Sequence, residues 1–392
     1  MSDIVRVGIA GLGTATRLML HALMRNPLVE IVAAASVREE ERLAFTRDFS
    51  IPTYADIEEM CGLEGVDAIY VSTPTHLHVA HVLMALQHGK HVLVEKPLAT
   101  SLESARTIVH AAKQYDRVVV VGHSHSYDPP IQAIRSVVQS GRIGNLKMIH
   151  NWCYTDWMYR PRLQDELNTA LGGGVTFRQG AHQFDIIRFI GGGKLRSVRS
   201  ATGVWDGGRP TEGSHVVFLE FENGAAATAV YNGYDHFHSS ELTFGIGEWG
   251  NELSHDEASY GSRRRMIGEL REGEEQDIKR QQSAYRSLTS LPDLGEHQPF
   301  FGMTLVSCER GDIRQIPDGI RVYSEDSVED IALPSGVTPH DNVIAEFCDA
   351  VLGRQAPVHT AAWGLATLEV CFAVLESAAK RQEVYLNCQT SL

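Results

Sequence analysis

The 392-residue sequence has no excess of positive charge: 35 Lys and Arg face 49 Asp and Glu, a net charge of −14. A field of that sign excludes nucleic acid and anionic membrane surfaces as partners held by bulk electrostatics. No uninterrupted apolar run approaches the length of a membrane span. Cysteine is sparse. The six residues, at positions 61, 153, 308, 348, 371 and 388, include no C-x-x-C pair. That spacing excludes a disulfide framework or a zinc ribbon and reads as scattered reduced thiols of a cytoplasmic protein. The opening MSDIVRVGIAGLG lacks a basic segment followed by an apolar one, so no secretory signal is read. Internal repeats and low-complexity segments are also missing. What is present is a globular composition, 43% hydrophobic and long enough for two domains.

The first 126 residues alternate in a regular rhythm. Short apolar, β-branched runs (Val5–Ala10, Glu30–Ala35, Val66–Ser72, His91–Glu95, Arg117–Val121) are separated by stretches with helical spacing. Solid apolar strands spaced by helices predict parallel βαβ units covered on both faces, hence an α/β, doubly wound Rossmann domain over 1–126. After Asp128-Pro129-Pro130 the pattern changes. A helix over Ile131–Gly141 is followed by apolar runs Leu146–Tyr154, Leu195–Val204, His215–Glu222 and Ala225–Tyr231. A Glu222-Asn223-Gly224 turn suits a hairpin between the last two. Residues 127–392 therefore read as an α+β domain with a mostly antiparallel sheet. Residues 236–335 read as a charged insertion, with arginines at 263–265 and acidic residues from Glu272 to Glu275, and the tail from Asp341 to Arg381 reads as helical.

Gly11-Leu12-Gly13-Thr14-Ala15-Thr16 lies between the first strand and the first helix. The first glycine permits a tight turn. The second lets backbone approach a pyrophosphate, and the helix N-terminus at Thr14 and Ala15 offers unpaired N–H groups. Thr16 stands where the dinucleotide fingerprint has a third small residue. The second strand ends Ala35-Ser36-Val37-Arg38, without the usual carboxylate for the ribose. Ser36 can bond a ribose hydroxyl and Arg38 can meet a 2′-phosphate, which leaves NAD and NADP both open. His91-Val92-Leu93-Val94-Glu95-Lys96-Pro97 places a lysine just past a strand at the carboxyl edge of the sheet, where ligands of such sheets bind.

The combination of Gly11-Leu12-Gly13, Ser72-Thr73-Pro74-Thr75-His76-Leu77-His78, Glu95-Lys96-Pro97 and Gly141-Arg142-Ile143-Gly144 resembles the glucose–fructose oxidoreductase/inositol dehydrogenase (Gfo/Idh/MocA) family. The resemblance implies an NAD(P)-dependent oxidoreductase with Lys96 in its active site. It also implies that Ser72, Thr73, Pro74, His78, Glu95, Lys96 and Pro97 line the cofactor cleft, and that the protein is a homo-oligomer joined through the open face of the second sheet.

Within the segment from Leu171 to Asp185, a run of three glycines leads into a helix on which Arg178, His182 and Asp185 share one face. In the family's G-G-G-x-x-x-D-x-x-x-H-x-x-D pattern, His182 matches the catalytic histidine and Asp185 the aspartate after it. Arg178 replaces the first aspartate. A carboxylate there would meet a sugar hydroxyl, whereas an arginine suits a carboxylate. His125 and Arg160 are further substrate-binding candidates, with His123 and Arg162 as other basic groups nearby. The segment 172–188, the insertion and FGMTLVSCERGDIRQ resemble the phthalate 4,5-cis-dihydrodiol dehydrogenases of the family. That implies NAD-dependent oxidation of a carboxylated cyclic cis-diol. A sugar, inositol or sugar-acid dehydrogenase and a non-catalytic cofactor-binding regulator are the competing readings. The H-x-H pairs at 76/78 and 123/125 lack a third ligand nearby, so no metal is expected.

Overall fold

The computed structural model describes residues 3–122, 125–253, 261–271 and 273–392; His123 and Glu272 lie outside the described residues. The chain forms two compact units. One comprises Met1–His123, Ile278–Asp293 and His340–Leu365; the other comprises Ser124–Asp277, Leu294–Pro339 and Ala366–Leu392.

The first unit is built on six strands: β1 (Val5–Ala10), β2 (Val29–Ala35), β3 (Thr53–Tyr54), β4 (Ala68–Val71), β5 (His91–Glu95) and β6 (Val119–Gly122). All pair in parallel, in the order β3-β2-β1-β4-β5-β6. This is the doubly wound order of dinucleotide-binding sheets. Ile9, Val71, Val92, Val94 and Val120 are fully buried, as strands covered on both faces require. The apolar rhythm located five of the six strands. β3 and the five-residue helix Ile57–Cys61 escaped it because elements that short carry no measurable period.

The expected 1–126 domain also takes in chain from far downstream. Tyr285, 1% exposed, packs edge-on to Phe45 at 5.1 Å between ring centroids. Its hydroxyl donates to Asp48 at 2.7 Å, and its N–H donates to the Leu12 carbonyl at 3.1 Å. Arg17 donates to the Gln282 and Ser290 carbonyls. Part of the stretch read as an insertion is thus a strap bonded to the glycine turn's own helix.

The second unit holds a nine-stranded sheet: β7 (Leu146–Tyr154), β8 (Leu195–Gly203), β9 (Ser214–Phe221), β10 (Ala226–Asn232), β11 (Met303–Cys308), β12 (Gly311–Ile316), β13 (Gly319–Ser324), β14 (Val328–Ala332) and β15 (Val384–Tyr385). The order is β14-β13-β12-β11-β7-β10-β9-β8-β15, antiparallel throughout except for β10 beside β7. The sequence reading missed β11–β14 and left them inside the insertion. Their turn signals, Arg310-Gly311 and Asp318-Gly319, were legible. Their alternation was not, because β12 to β14 place Arg, Asp and Glu on the outward face and run six residues or fewer.

The helix Ala181–Gly191 lies against this sheet with every residue from Ala181 to Ile190 buried. Gln183 anchors it. Its amide N–H donates to Asn151 Oδ1 of β7 at 2.6 Å and to the Val230 carbonyl of β10 at 3.0 Å, and its oxygen accepts from His215 Nε2 of β9 at 2.8 Å. The helix Ala361–Lys380 is long and apolar enough by composition to cross a membrane, but 72% of its most apolar window is buried, as in a core helix.

Candidate active site

The sequence-derived cofactor residues stand at the carboxyl ends of four adjacent strands. Gly11 and Gly13 follow β1, Ser36 and Arg38 follow β2, Ser72, Thr73 and Pro74 follow β4, and Lys96 and Pro97 follow β5. The turn fits a pyrophosphate. Gly11 has φ +97°, and a Cβ there would sit 3.0 Å from the Ser72 carbonyl oxygen. Around Gly13 nothing lies within 4 Å of such an atom, and no side chain caps the helix Thr14–Arg25 that follows. Thr16, at the fingerprint's third small position, bonds the turn: its hydroxyl donates to the Gly11 carbonyl at 2.6 Å and lies 2.6 Å from Ser72 Oγ. Ser72 in turn donates to the Gly11 carbonyl at 2.9 Å, so its hydroxyl holds the turn's shape.

His78 departs from its expected place in the cleft wall. It is 1% exposed, with Nδ1 3.0 Å from the Pro97 carbonyl and Nε2 2.8 Å from the Thr73 carbonyl. The ring ties the turn after β4 to the turn after β5. The Lys96–Pro97 peptide is cis. Lys96 is half-buried, beside Glu95, whose carboxylate accepts from the Tyr70 hydroxyl at 2.8 Å. Burial pushes the Glu95 carboxyl up, against the Tyr70 hydrogen bond and the Lys96 charge.

In the second unit the glycine loop is needed for close approach. A Cβ at Gly174, which has φ +81°, would overlap the Glu212 carboxylate. Arg178 lies in one wide π-helical turn, Thr176–Gly180, directly before the helix that carries His182. Arg178 is half-buried and His182 is 4% exposed. His182 meets His125 edge-on at 4.7 Å and Phe301 at 5.1 Å between centroids. Asp185, expected to face substrate, is instead completely buried. It accepts from the Thr367 hydroxyl, and its charge favours the protonated form of Arg188. Its place is in the helix's inner packing.

His125 is the most constrained of the sequence-derived candidates. It is completely buried, with Nδ1 3.1 Å from Asp128 and Nε2 3.3 Å from Glu248, and it packs against Trp249 and Phe301. Desolvation alone would lower its pKa, but the two carboxylates outweigh it and hold the imidazole well above its ordinary range. An imidazolium between two acids stabilises the fold fully below about pH 6.5, where the unfolded imidazole is also charged. That contribution fades as pH rises toward the raised folded value. The melting temperature of wild type is expected to fall between pH 6.5 and 9 more steeply than that of His125→Gln; parallel profiles would contradict this.

A cavity of about 520 Å³ opens beside this cluster, lined among others by Asp156, Arg160, Glu248, Trp249, Arg263 and Phe301. Arg160 reaches it already balanced, 2.7 Å from Asp156 and 3.6 Å from Glu248. Arg263, read as part of the charged insertion, pairs with Asp156 at 3.2 Å. Arg162 stacks 3.9 Å over Trp157 and pairs with Glu166, a packing role. Among the aromatic residues between 152 and 159, Trp152 is 39% exposed on the sheet and Trp157 is buried. Sequence reasoning missed Asp128, Glu248, Trp249 and Phe301. Asp128, three residues after His125, was the one with a legible signal.

A Rossmann unit with an open glycine turn, a lysine past its fourth long strand, and a second unit with a buried histidine pair define a pyridine-nucleotide oxidoreductase. The comparisons agree. Residues 5–123 match the model of the GFO/IDH/MocA oxidoreductase family with its NAD-binding Rossmann fold, and residues 131–246 match the GFO/IDH/MocA C-terminal domain. The 1-carboxy-3-chloro-3,4-dihydroxycyclohexa-1,5-diene dehydrogenase of Comamonas testosteroni is 38% identical over 377 residues, 95% of this chain and 94% of that protein. A crystal structure from Bordetella bronchiseptica RB50, assigned as a dehydrogenase, superposes with a TM-score of 0.92 at 38% identity, covering 97% of this chain and 100% of that one. The WlbA dehydrogenase of Bordetella pertussis, solved with NADH and UDP-GlcNAcA, shares the fold at 18% identity, with a TM-score of 0.71 over 98% of this chain and 99% of its own. The chain belongs to the GFO/IDH/MocA oxidoreductase family and is an NAD-dependent dehydrogenase.

Proposed function

We propose that this dehydrogenase oxidises a cyclic cis-diol bearing carboxylate groups, with phthalate 4,5-cis-dihydrodiol as substrate and 4,5-dihydroxyphthalate as product. The observation that carries the reading is Arg178 in the turn leading to His182, a guanidinium where a polyol enzyme would place a carboxylate. The name of the Comamonas relative, which specifies a carboxylated dihydroxycyclohexadiene, supports the same substrate class. NAD, which the glycine turn after β1 would hold by its pyrophosphate, would supply the acceptor for the hydride of the carbinol carbon. His182 takes the hydroxyl proton, and Lys96 donates a hydrogen bond to the substrate oxygen. Arg178 and the cavity beside Arg160 orient the anion. The ketone formed on the ring enolises to an aromatic catechol, which pulls the oxidation forward. The experiment is NADH formation from the carboxylated cis-diol with recovery of the catechol. Turnover of inositol, sugars or sugar acids alone, or of nothing at all, would overturn the reading.

The reading includes a homo-oligomer in the cytoplasm, where six free thiols persist. Its support is the outward face of the nine-stranded sheet. There Met303, Trp152, Val230 and Val216 stand in one cross-strand row, and Leu305, His150, Thr228 and Phe218 in the next. Met148, Trp152, Val216 and Phe218 are 39–57% exposed, an apolar surface suited to a second copy. Light scattering is expected to show a dimer or tetramer, and Trp152→Arg/Phe218→Arg a monomer with unchanged secondary structure. A monomeric wild type would contradict this.

A further inference from the structure

Three carboxylates, Glu39, Glu40 and Glu41, open the helix after β2. The first two face solvent, whereas Glu41 is 5% exposed. Its Oε2 accepts from the Ser36 hydroxyl at 2.5 Å, and its Oε1 accepts from the Arg38 guanidinium at 3.1 Å. Ser36 Oγ also accepts from the Arg38 N–H at 3.2 Å, and the Ser36 carbonyl accepts from Arg42 at 2.8 Å. Burial pushes the Glu41 carboxyl up, and the Ser36 hydrogen bond and the Arg38 charge oppose that rise.

In a βαβ dinucleotide fold the adenosine ribose lies at the end of the second strand. An acid there bonds the 2′-hydroxyl, and an arginine nearby accommodates a 2′-phosphate. The sequence around Ser36 and Arg38 has the arginine and no acid at the strand end. The fold brings a carboxylate back from the helix's first turn, and it engages both groups that a 2′-phosphate would need.

We propose that Glu41 sets the preference of this enzyme for NAD(H) over NADP(H), by holding the Ser36 hydroxyl and the Arg38 guanidinium. A 2′-phosphate brings up to two negative charges. To bind it, Arg38 must be shared with or drawn away from a buried carboxylate, whose own charge then opposes the phosphate. A ribose hydroxyl needs only an acceptor, which Ser36 and Glu41 already present. The inference rests on the NAD-binding fold and not on the identity of the diol.

The test is direct titration of the enzyme with NADH and with NADPH by calorimetry, without substrate, so it reads cofactor selection even where the substrate reading fails. Wild type is expected to bind NADH at least about tenfold more tightly, a difference of about 1.4 kcal/mol. Glu41→Gln, nearly isosteric and uncharged, is expected to tighten NADPH binding and shrink the ratio by about tenfold or more. Glu41→Asp, which keeps the charge, is expected to retain the NADH preference. Adding Arg38→Ala to Glu41→Gln is expected to remove the gained NADPH affinity. A wild type that binds both cofactors equally would overturn the proposal. So would a Glu41→Gln variant that weakens both in proportion, the mark of a carboxylate that only supports the fold.

Discussion

Alanine in place of His182, or methionine in place of Lys96, is expected to lower the turnover number by roughly 100- to 10,000-fold while NADH binding persists. The two side chains sit on segments tied down by hydrogen bonds within their own units. Lys96 follows β5 in a turn fastened through His78 to the turn after β4. His182 rides on a helix whose neighbour Gln183 bonds three strands of the sheet. A base held this way keeps its position without reorganising, the condition for efficient proton transfer. The His182 ring also touches His125 and Phe301, so its loss opens space beside a buried imidazolium. His182→Gln, closer in volume, separates packing from proton transfer and is expected to be as slow as the alanine variant. Near-normal turnover in either the His182 or the Lys96 variant would refute the assigned roles.

Replacement of Arg178 by alanine is expected to raise KM for a carboxylated cis-diol by roughly 10- to 100-fold, the worth of one or two hydrogen bonds to a charged group. The same variant should leave KM for a diol without carboxylates within about threefold of wild type, an uncharged substrate having no partner for the guanidinium. Arg178→Lys keeps the charge but loses the planar fork, and is expected to fall between the two. The other arginines weighed as candidates carry ion pairs of their own: Arg160 with Asp156 and Glu248, Arg162 with Glu166, and Arg263 with Asp156. Equal effects of Arg178→Ala on both substrates would remove the case for anion recognition.

The parallel sheet was legible in the sequence because each long strand is apolar on both sides and each helix is amphipathic, as β1 and the helix Thr14–Arg25 illustrate. The second sheet was legible only where strands are seven residues or longer. β11–β14 are short and carry charges outward, so their alternation merged with the charged stretch before them. The candidate site residues that motifs mark, Gly11, Lys96 and His182, could be named from the sequence. The groups that hold or oppose them were not, since such partners come from distant chain: Glu248 lies 123 residues from His125, and Gln183 lies 32 from Asn151 and from His215. Asp185 and His78 show the converse error. Both have residue types suited to catalysis or binding, yet burial and backbone partners give them structural work that spacing does not reveal. Glu41 was passed over because it sits six residues beyond Ala35, the strand end where an acid is sought, and only the fold brings it back to Ser36.

The most direct test compares, for the wild-type enzyme with NAD, kcat/KM on a carboxylated cyclic cis-diol with that on the same ring diol lacking carboxylates. A ratio of roughly 100 or more in favour of the carboxylated ring is expected from charge-assisted recognition. A ratio near one, or a neutral polyol oxidised faster than either, would contradict the account.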